Sequence, residues 1–188
     1  QDAHRAYPQA VHPFLIWNFL WRAGASVVHN HAQILLTHRL YATPARIERV
    51  REDYRRRYGT GYYDDLFRVH TAIGLGLVYK NARVMAHLTP KKEHEVVIIT
   101  ESPHDLAPAL AKVLECYQNI GIQSYNAGVY MPPIDEPGHY VAWVVDRGDL
   151  RSRTSDIGGM ELYAGTSVVS SDPFRLMEHL GAIMVQSP

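Results

Sequence analysis

Two apolar runs open this 188-residue chain, one over residues 12–21 (HPFLIWNFLW) and one over residues 27–37 (VVHNHAQILLT). The first run is rich in aromatic and aliphatic side chains and the second in Val, Ile and Leu, and they predict two strands, the first of them buried. The segment between them, from Arg22 to Ser26, contains four small residues in a row and predicts a turn. The chain therefore begins with a strand–turn–strand unit.

After this unit the spacing of apolar residues changes to that of helices. Thr43 followed by Pro44 predicts a helix start, with the hydroxyl as the cap and proline at the first helical position. Apolar side chains then recur at intervals of three and four from Ile47 to Tyr54, which is typical of an amphipathic helix. Residues 62–73 predict a second, shorter helix.

The rest of the chain predicts strands, a helix, strands and a final helix. The predicted strands are residues 75–80, 82–89, 94–100, 125–131 and 139–146, and the predicted helices are residues 108–120 and the segment that Asp172 and Pro173 begin. Short connections between these elements are compatible with antiparallel pairing. The predicted fold class is therefore α+β.

Composition and charge exclude several classes of protein. The 19 basic and 19 acidic side chains give a formal net charge of zero, which gives no support to a nucleic-acid or membrane-surface binder. Cys116 is the single cysteine, which excludes a disulfide within this chain and favours a reducing cytoplasm. No apolar run reaches the ~20 residues that a membrane span needs, and no signal-peptide pattern opens the chain.

The strongest chemical signal is the segment GASVVHNHAQI, residues 24–34. Side chains alternate between the two faces of a strand, so His29, His31 and Gln33 are expected to point the same way. Such a row can hold a phosphate, and an imidazole can attack phosphorus to form a covalent intermediate. A His-x-His pair is also a common pair of metal ligands, as in a metal-dependent hydrolase. Positions 34–37 offer no carboxylate to complete a cupin-like metal site.

This segment resembles the active-site motif of the transferase branch of the histidine triad superfamily, the galactose-1-phosphate uridylyltransferase-like family. The family pattern is Gly-x-Ser-x-x-His-x-His-x-Gln, with an asparagine eight residues before the serine. The chain matches all six positions, with Asn18, Gly24, Ser26, His29, His31 and Gln33. The resemblance implies a histidine-triad-like fold of antiparallel sheets with flanking helices, built as two related halves of which the first is truncated here.

The resemblance also implies a role for each motif residue. His31 would be the nucleophile that accepts a nucleoside monophosphate, and His29 would support the site from the same face. Gln33 would donate its amide to a phosphoryl oxygen. Because a glutamine cannot shuttle a proton near neutral pH, the intermediate would survive until a second phosphate intercepts it. Asn18 and Ser26 would bind the substrate through its phosphate oxygens. Gly24 would also be part of the substrate-binding site.

The resemblance continues in the second part of the chain. Residues 81–100 resemble the start of the family's second, nucleophile-free half, and residues 157–166 (IGGMELYAGT) resemble its Gly-x-Glu segment, where a glutamate grips sugar hydroxyls. Glu161 would then bind a hexose; the alternative is an exposed acid in a glycine-rich turn. The expected division is residues 1–60 as the end of the first half and residues 61–188 as the second half.

Three departures from the family pattern affect what is expected. Only 28 residues precede His29, so the chain is interpreted as a fragment that begins inside the first half. The paired zinc cysteines of many members would lie before Gln1; the resemblance allows a zinc ion, with His29 as one ligand and most others outside this chain. Residues 139–148 keep only His139 of a second metal-binding strand, so no metal is expected there. No organic cofactor is expected.

The leading functional hypothesis is a hexose-1-phosphate nucleotidyltransferase. It would move a nucleoside monophosphate from a nucleotide sugar, such as UDP-glucose, to a hexose 1-phosphate through a nucleotidyl-histidine. One alternative is an adenylyl-transferring phosphorylase that acts on ADP-glucose or dinucleoside polyphosphates. Another is a non-catalytic nucleotide-binding protein. The resemblance implies a homodimer, and a cytoplasmic protein without nucleic-acid or membrane partners is expected.

Overall fold

The structure, a computed structural model, describes residues 2–27, 29 and 31–185. Its strands are β1 (His12–Phe19), β2 (Ala32–Thr37), β3 (Gly76–Tyr79), β4 (Ala82–Ala86), β5 (Val96–Thr100), β6 (Tyr125–Tyr130) and β7 (Tyr140–Asp146). Its helices are α1 (Asp2–Ala6), α2 (Ala42–Tyr58), α3 (Tyr62–Ala72), α4 (Pro103–Asn119) and α5 (Pro173–Met184). Two short turns complete the elements, a 3-10 turn at Trp21–Ala23 and a π-helical turn at Met160–Ala164.

All seven strands pair antiparallel in one sheet, in the order β2-β1-β6-β7-β5-β4-β3. The predicted α+β class, with an antiparallel sheet and flanking helices, is confirmed, although one continuous sheet replaces the expected several. β1 lies between its sequence neighbour β2 and the distant strand β6. The division into halves at residues 60 and 61 stays a prediction, and strands from both sides of it share the sheet.

The hydrophobic core lies on both faces of β5, whose five residues are all buried. Val96 and Ile98 pack with the side chains of α4 and α5, whereas Val97 and Ile99 pack with Tyr63 of α3. This two-sided burial explains why the strand reads as a continuous apolar run rather than an alternating one.

β1 and β2 lie at the less buried end of this sheet. β1 is half-buried along its whole length rather than fully buried as predicted, and β2 is an edge strand with four exposed residues at its start. Leu15, Trp17 and Phe19 pack towards the α4 and α5 side. Because side chains alternate along a strand, Ile16 and Asn18 face the opposite side.

Two predicted helix starts are wrong. α2 begins at Ala42, one residue before Thr43, and no side chain caps it. α4 begins at Pro103 rather than near residue 108, because Ser102 Oγ accepts a hydrogen bond from His104 N over 3.2 Å and proline fits the first turn. In the part of the chain that the structure describes, no helix has the length and apolar character needed to cross a bilayer.

Candidate functional site

A tight turn joins β1 to the segment with the two histidines. Leu20 has a φ of 65° and Gly24 a φ of 81°. The Leu20 carbonyl accepts hydrogen bonds from Ala23 N and Ala25 N, each over 3.2 Å. A left-handed φ is strained for most residues but not for glycine. The turn itself therefore requires the glycine of the motif.

A small cavity opens between this turn, the end of β1 and the start of β2. Among the residues that the structure describes, seven line it: Ile16, Asn18, Gly24, Ala25, Ser26, His31 and Gln33. Gln33 reaches the cavity because it pairs with Ile16 across the β1–β2 ladder, which places it on the same face as Asn18. The fold thus brings five of the six motif residues together, and His29 does not line the cavity.

The two histidines precede β2, whereas the sequence predicted that they lie within a strand. β2 begins at Ala32, and His31 Nδ1 lies 3.1 Å from the backbone carbonyl oxygen of His29. Because a carbonyl oxygen only accepts, Nδ1 is the donor, and Nε2 of the neutral ring keeps its lone pair. His29 is exposed, with its ring centroid 5.3 Å from that of His31. His29 thus contacts His31 through its backbone carbonyl and also through its ring.

Asn18 is held by Asn126 of the neighbouring strand β6. The two asparagines face each other in the β1–β6 pairing. Asn126 Nδ2 donates to Asn18 Oδ1 over 2.6 Å and to the carbonyl oxygen of Ala23 over 2.9 Å. One amide group thus connects the end of β1 to the turn that carries Gly24 and Ser26.

Arg147 and Asp156 extend this network away from the cavity. Arg147 Nη1 donates to Asn126 Oδ1, while Arg147 Nε and Nη2 donate to the two carboxylate oxygens of Asp156 over 2.5 and 3.1 Å. The side chains of Arg147 and Asp156 are 17% and 24% exposed, so solvent screens the pair only partly. The hydrogen bonds from Arg147 hold the pKa of Asp156 below its ordinary value, and Asp156 is ionised at neutral pH.

Lys92 connects Asp156 to Glu161 on the π-helical turn. Lys92 Nζ donates to the backbone carbonyl of Asp156 and lies 3.2 Å from Glu161 Oε1. Gly158 N donates to Glu161 Oε2 over 2.9 Å. Hydrogen bonds from the backbone N–H groups of Glu161 and Gly158, followed by that from Lys92, lower the pKa of Glu161. A continuous hydrogen-bonded chain therefore runs from Asn18 to Glu161, whose role in sugar binding stays a prediction.

Arg22 fastens the turn to the loop that follows β7. Its guanidinium donates to the carbonyl oxygens of Arg147 and Ser152 over 3.3 and 3.4 Å, and to that of Thr154 over 2.5 Å. The loop that ends in Asp156 is thus bound to the residues that precede Gly24.

Sequence reasoning missed the residues of this network: Arg22, Lys92, Asn126, Arg147 and Asp156. Each is a single polar residue without a local motif, and their proximity depends on the strand order. Asn126 alone carries a usable signal, because it is a polar residue in an otherwise apolar strand beside glycine and tyrosine positions.

Metal ligands do not cluster in the described ranges. No group of three or more His, Cys, Asp or Glu side chains in those ranges is arranged to hold a metal ion. His29 and His31 therefore gain no third ligand there, and zinc at His29 stays a prediction. Cys116 is buried, and burial raises the pKa of its thiol to about 11, so its thiolate form is rare at neutral pH.

Comparison with known proteins identifies the fold. No family model and no curated protein matches the sequence. A solved structure of uridylyltransferase superposes with a TM-score of 0.82 at 18% identity, over 100% of this chain and 66% of that one. An ADP-glucose phosphorylase from Arabidopsis thaliana with bound ADP-glucose gives a TM-score of 0.71 at 16% identity, over 95% of this chain and 60% of that one.

A third solved structure, a galt-like protein from Arabidopsis thaliana, gives a TM-score of 0.73 at 17% identity, over 97% of this chain and 64% of that one. At these identities the likeness shows a shared fold, and the antiparallel sheet with flanking helices that the resemblance implied is confirmed. The chain spans about two thirds of the length of these structures.

Proposed function

We propose that this chain carries the nucleophile of a nucleotidyltransferase that works through a covalent nucleotidyl-histidine. The observation that supports the proposal best is the hydrogen bond between His31 Nδ1 and the His29 carbonyl, 3.1 Å long, at the wall of the cavity. It orients the ring and leaves Nε2 unprotonated in the neutral form, which is the state that a nucleophilic imidazole needs. The shared fold with uridylyltransferase supports the same reaction class.

The proposed reaction has two displacements at one phosphorus atom. In the first, the Nε2 lone pair of His31 attacks the α-phosphorus of a nucleotide sugar; a P–N bond forms, and the hexose 1-phosphate leaves with the electron pair of the broken P–O bond. In the second, a phosphate oxygen of an incoming hexose 1-phosphate attacks, the P–N bond breaks, and Nε2 regains its lone pair. Leaving group and acceptor are both phosphate anions, so neither step needs a proton transfer.

The other cavity residues match this chemistry because they are uncharged. Asn18 and Gln33 carry amide N–H donors, and Ser26 carries a hydroxyl. Donors aimed at phosphoryl oxygens stabilise the charge that develops in the transition state. Gln33 supplies such a donor without being able to activate a water molecule near neutral pH, which favours transfer over hydrolysis.

The second candidate is an adenylyl-transferring phosphorylase. The ADP-glucose phosphorylase of similar fold favours it, and an inorganic phosphate would then take the place of the hexose 1-phosphate in the second step. Uridine and adenine nucleotides are therefore both tested. The nucleotide-sugar and hexose-phosphate partners, the homodimer and the cytoplasmic location are part of the same proposal.

The test is the intact mass of the full-length protein after incubation with UDP-glucose and, separately, with ADP-glucose. We expect an acid-labile gain of one UMP or one AMP, and the base gained identifies the donor. His31→Ala abolishes the adduct. His29→Ala is the matched control: it keeps the backbone carbonyl that orients His31, so we expect the adduct to form.

Two outcomes contradict the proposal. If neither donor gives an adduct but equilibrium binding of the nucleotide sugar is detected, a non-catalytic nucleotide-binding protein is the better explanation. If nucleotide is consumed without an adduct, and His29→Ala and His31→Ala lose bound metal and activity alike, the two histidines are ligands of a metal-dependent hydrolase.

A further inference from the structure

We infer that Asn126 and Arg147 are positioning residues that decide which atom of the Asn18 amide faces the substrate phosphate. The inference rests on the proposed function, because it concerns the same cavity and the same first step. Neither Asn126 nor Arg147 lines the cavity, so both act through Asn18.

The orientation of Asn18 matters because its amide has two unlike ends. The oxygen accepts hydrogen bonds, the nitrogen donates them, and a half-turn of the amide exchanges their positions. An ionised phosphate offers acceptors only. Asn18 therefore stabilises a phosphate when Nδ2 faces the cavity and repels it when Oδ1 does.

The hydrogen bonds of Asn18 select the favourable orientation. Asn18 Oδ1 accepts from Asn126 Nδ2 over 2.6 Å. Asn18 Nδ2, by contrast, has no hydrogen-bond partner among residues 2–27, 29 and 31–185. Asn18 is half-buried and lines the cavity, so this donor is placed to contact a ligand there.

Asn126 cannot rotate without losing its own partners. Its Nδ2 donates to the Ala23 carbonyl as well as to Asn18, and its Oδ1 accepts from Arg147 Nη1. A backbone carbonyl only accepts and a guanidinium only donates. These two groups have fixed roles, and together they determine the orientation of Asn126 and, through it, that of Asn18.

Arg147 is itself held in place from two sides. It binds both oxygens of Asp156 through two other nitrogen atoms, and its backbone carbonyl accepts a hydrogen bond from Arg22 over 3.3 Å. Two-point binding of a guanidinium by a carboxylate fixes its plane as well as its position. The donor that faces Asn126 is thus preorganised before substrate binds.

The experiment measures the rate at which His31 is nucleotidylated at saturating nucleotide sugar, in the full-length protein with Asn126→Asp. A carboxylate cannot donate to Asn18, so the Asn18 amide turns its nitrogen towards residue 126 and its oxygen towards the phosphate. Loss of one preorganised donor slows a reaction by about 100-fold or more, and we expect at least this decrease.

A double-variant cycle separates orientation from the added charge. In the Asn18→Ala background no amide remains to turn, so we expect Asn126→Asp to cause no further decrease. Variants of Arg147 give an independent test. Arg147→Met removes the fixed donor, so His31 should be nucleotidylated more slowly. Arg147→Lys keeps an N–H donor, so the rate of nucleotidylation should be restored. Thermal unfolding of each variant identifies any that fails to fold. If Asn126→Asp or Asn18→Ala is one of these, the comparison of Arg147→Met with Arg147→Lys tests the inference.

The outcomes distinguish this inference from the function on which it rests. An equal decrease in the wild-type and Asn18→Ala backgrounds, or wild-type loading in Asn126→Asp, overturns the inference alone. Equal loading by Arg147→Met and Arg147→Lys does the same. Absence of any adduct in the wild-type protein overturns the proposed function and this inference with it.

Discussion

Glu161 Oε1 lies 3.2 Å from Lys92 Nζ, and the second oxygen of the same carboxylate accepts a hydrogen bond from Gly158 N over 2.9 Å. Both oxygens are therefore engaged by the protein before any ligand arrives. A carboxylate that is already held loses little conformational freedom when a sugar binds, and each oxygen retains a lone pair for a hydroxyl donor.

Glu161→Ala is expected to raise the concentration of hexose 1-phosphate needed for the second step by about tenfold or more, because a hydrogen bond to a charged group is stronger than one between neutral groups. Nucleotidylation of His31 at saturating donor should be unchanged. The measurement is the decay of preformed adduct against hexose 1-phosphate concentration. Glu178→Ala, an exposed acid on α5, is the control, and equal loss of both steps in Glu161→Ala would count against a sugar-binding role.

Gly24→Ala is expected to lower the free energy of unfolding by about 1–2 kcal/mol, the cost of a left-handed φ for a residue with a Cβ, and to slow loading of His31. Gly24 has a φ of 81°, and no atom of the described residues lies within 4 Å of an added Cβ, so the expected cost is backbone strain. Gly59→Ala is the control. Gly59 also has a positive φ, of 71°, and space for an added Cβ among the described residues, but it lies at the end of α2.

The two glycine variants are compared by urea unfolding and by adduct formation. We expect similar destabilisation in both and slower loading in Gly24→Ala only. Equal loading rates would show that the conformation of Gly24 does not shape the cavity.

Acid pH should destabilise the protein through His70. This residue is 3% exposed; its Nδ1 donates to the Leu66 carbonyl over 2.8 Å, and its Nε2 accepts from Leu88 N over 3.1 Å. Burial lowers the pKa of His70 below 6.5. Its contribution to stability is therefore complete above the pKa of the unfolded chain, and it is lost as the pH falls through the lowered pKa of the folded state.

The test of this pH dependence is urea unfolding of the wild-type protein and His70→Gln from about pH 8 to about pH 5. Glutamine does not titrate, so the variant should be less stable by on the order of 1 kcal/mol at the upper end and the gap should shrink as the pH falls. His139, whose pKa is also lowered by burial, is present in both proteins and cancels in the difference. If the difference in the free energy of unfolding between the two proteins stays constant with pH, a group other than His70 causes the acid sensitivity.

Local patterns predicted most elements of the fold. Strand β1 lies within the predicted residues 12–21, and α3 (Tyr62–Ala72) ends one residue before its predicted end. The predicted starts of α2 and α4 were wrong because Thr43 does not cap α2, whereas Ser102 caps α4 before its predicted start. Strand order was not predictable, because the pairing of Asn18 with Asn126 joins residues 108 positions apart and depends on tertiary packing.

In the candidate site, too, the local sequence predicted some features, whereas others depend on tertiary structure. Gly24, Ser26, His31 and Gln33 line the cavity because they are close in sequence and the turn brings them together. His29 of the same motif does not line it. The motif did not predict that His31 precedes strand β2 and that its ring bonds to the His29 carbonyl. Nor did it predict Arg147, whose partners come from three separate segments.

The position of β1 between β2 and β6 has a consequence for the order in which the protein is made. The β1–β2 hairpin, with His31, leaves the ribosome before β6, which follows about 100 residues later, a delay of roughly 5–20 s at ordinary synthesis rates. During that delay one edge of β1 has free N–H and C=O groups, which can pair with another chain. His31, the proposed nucleophile, is therefore made early, but the groups that hold the neighbouring Asn18 exist only once residue 156 has emerged.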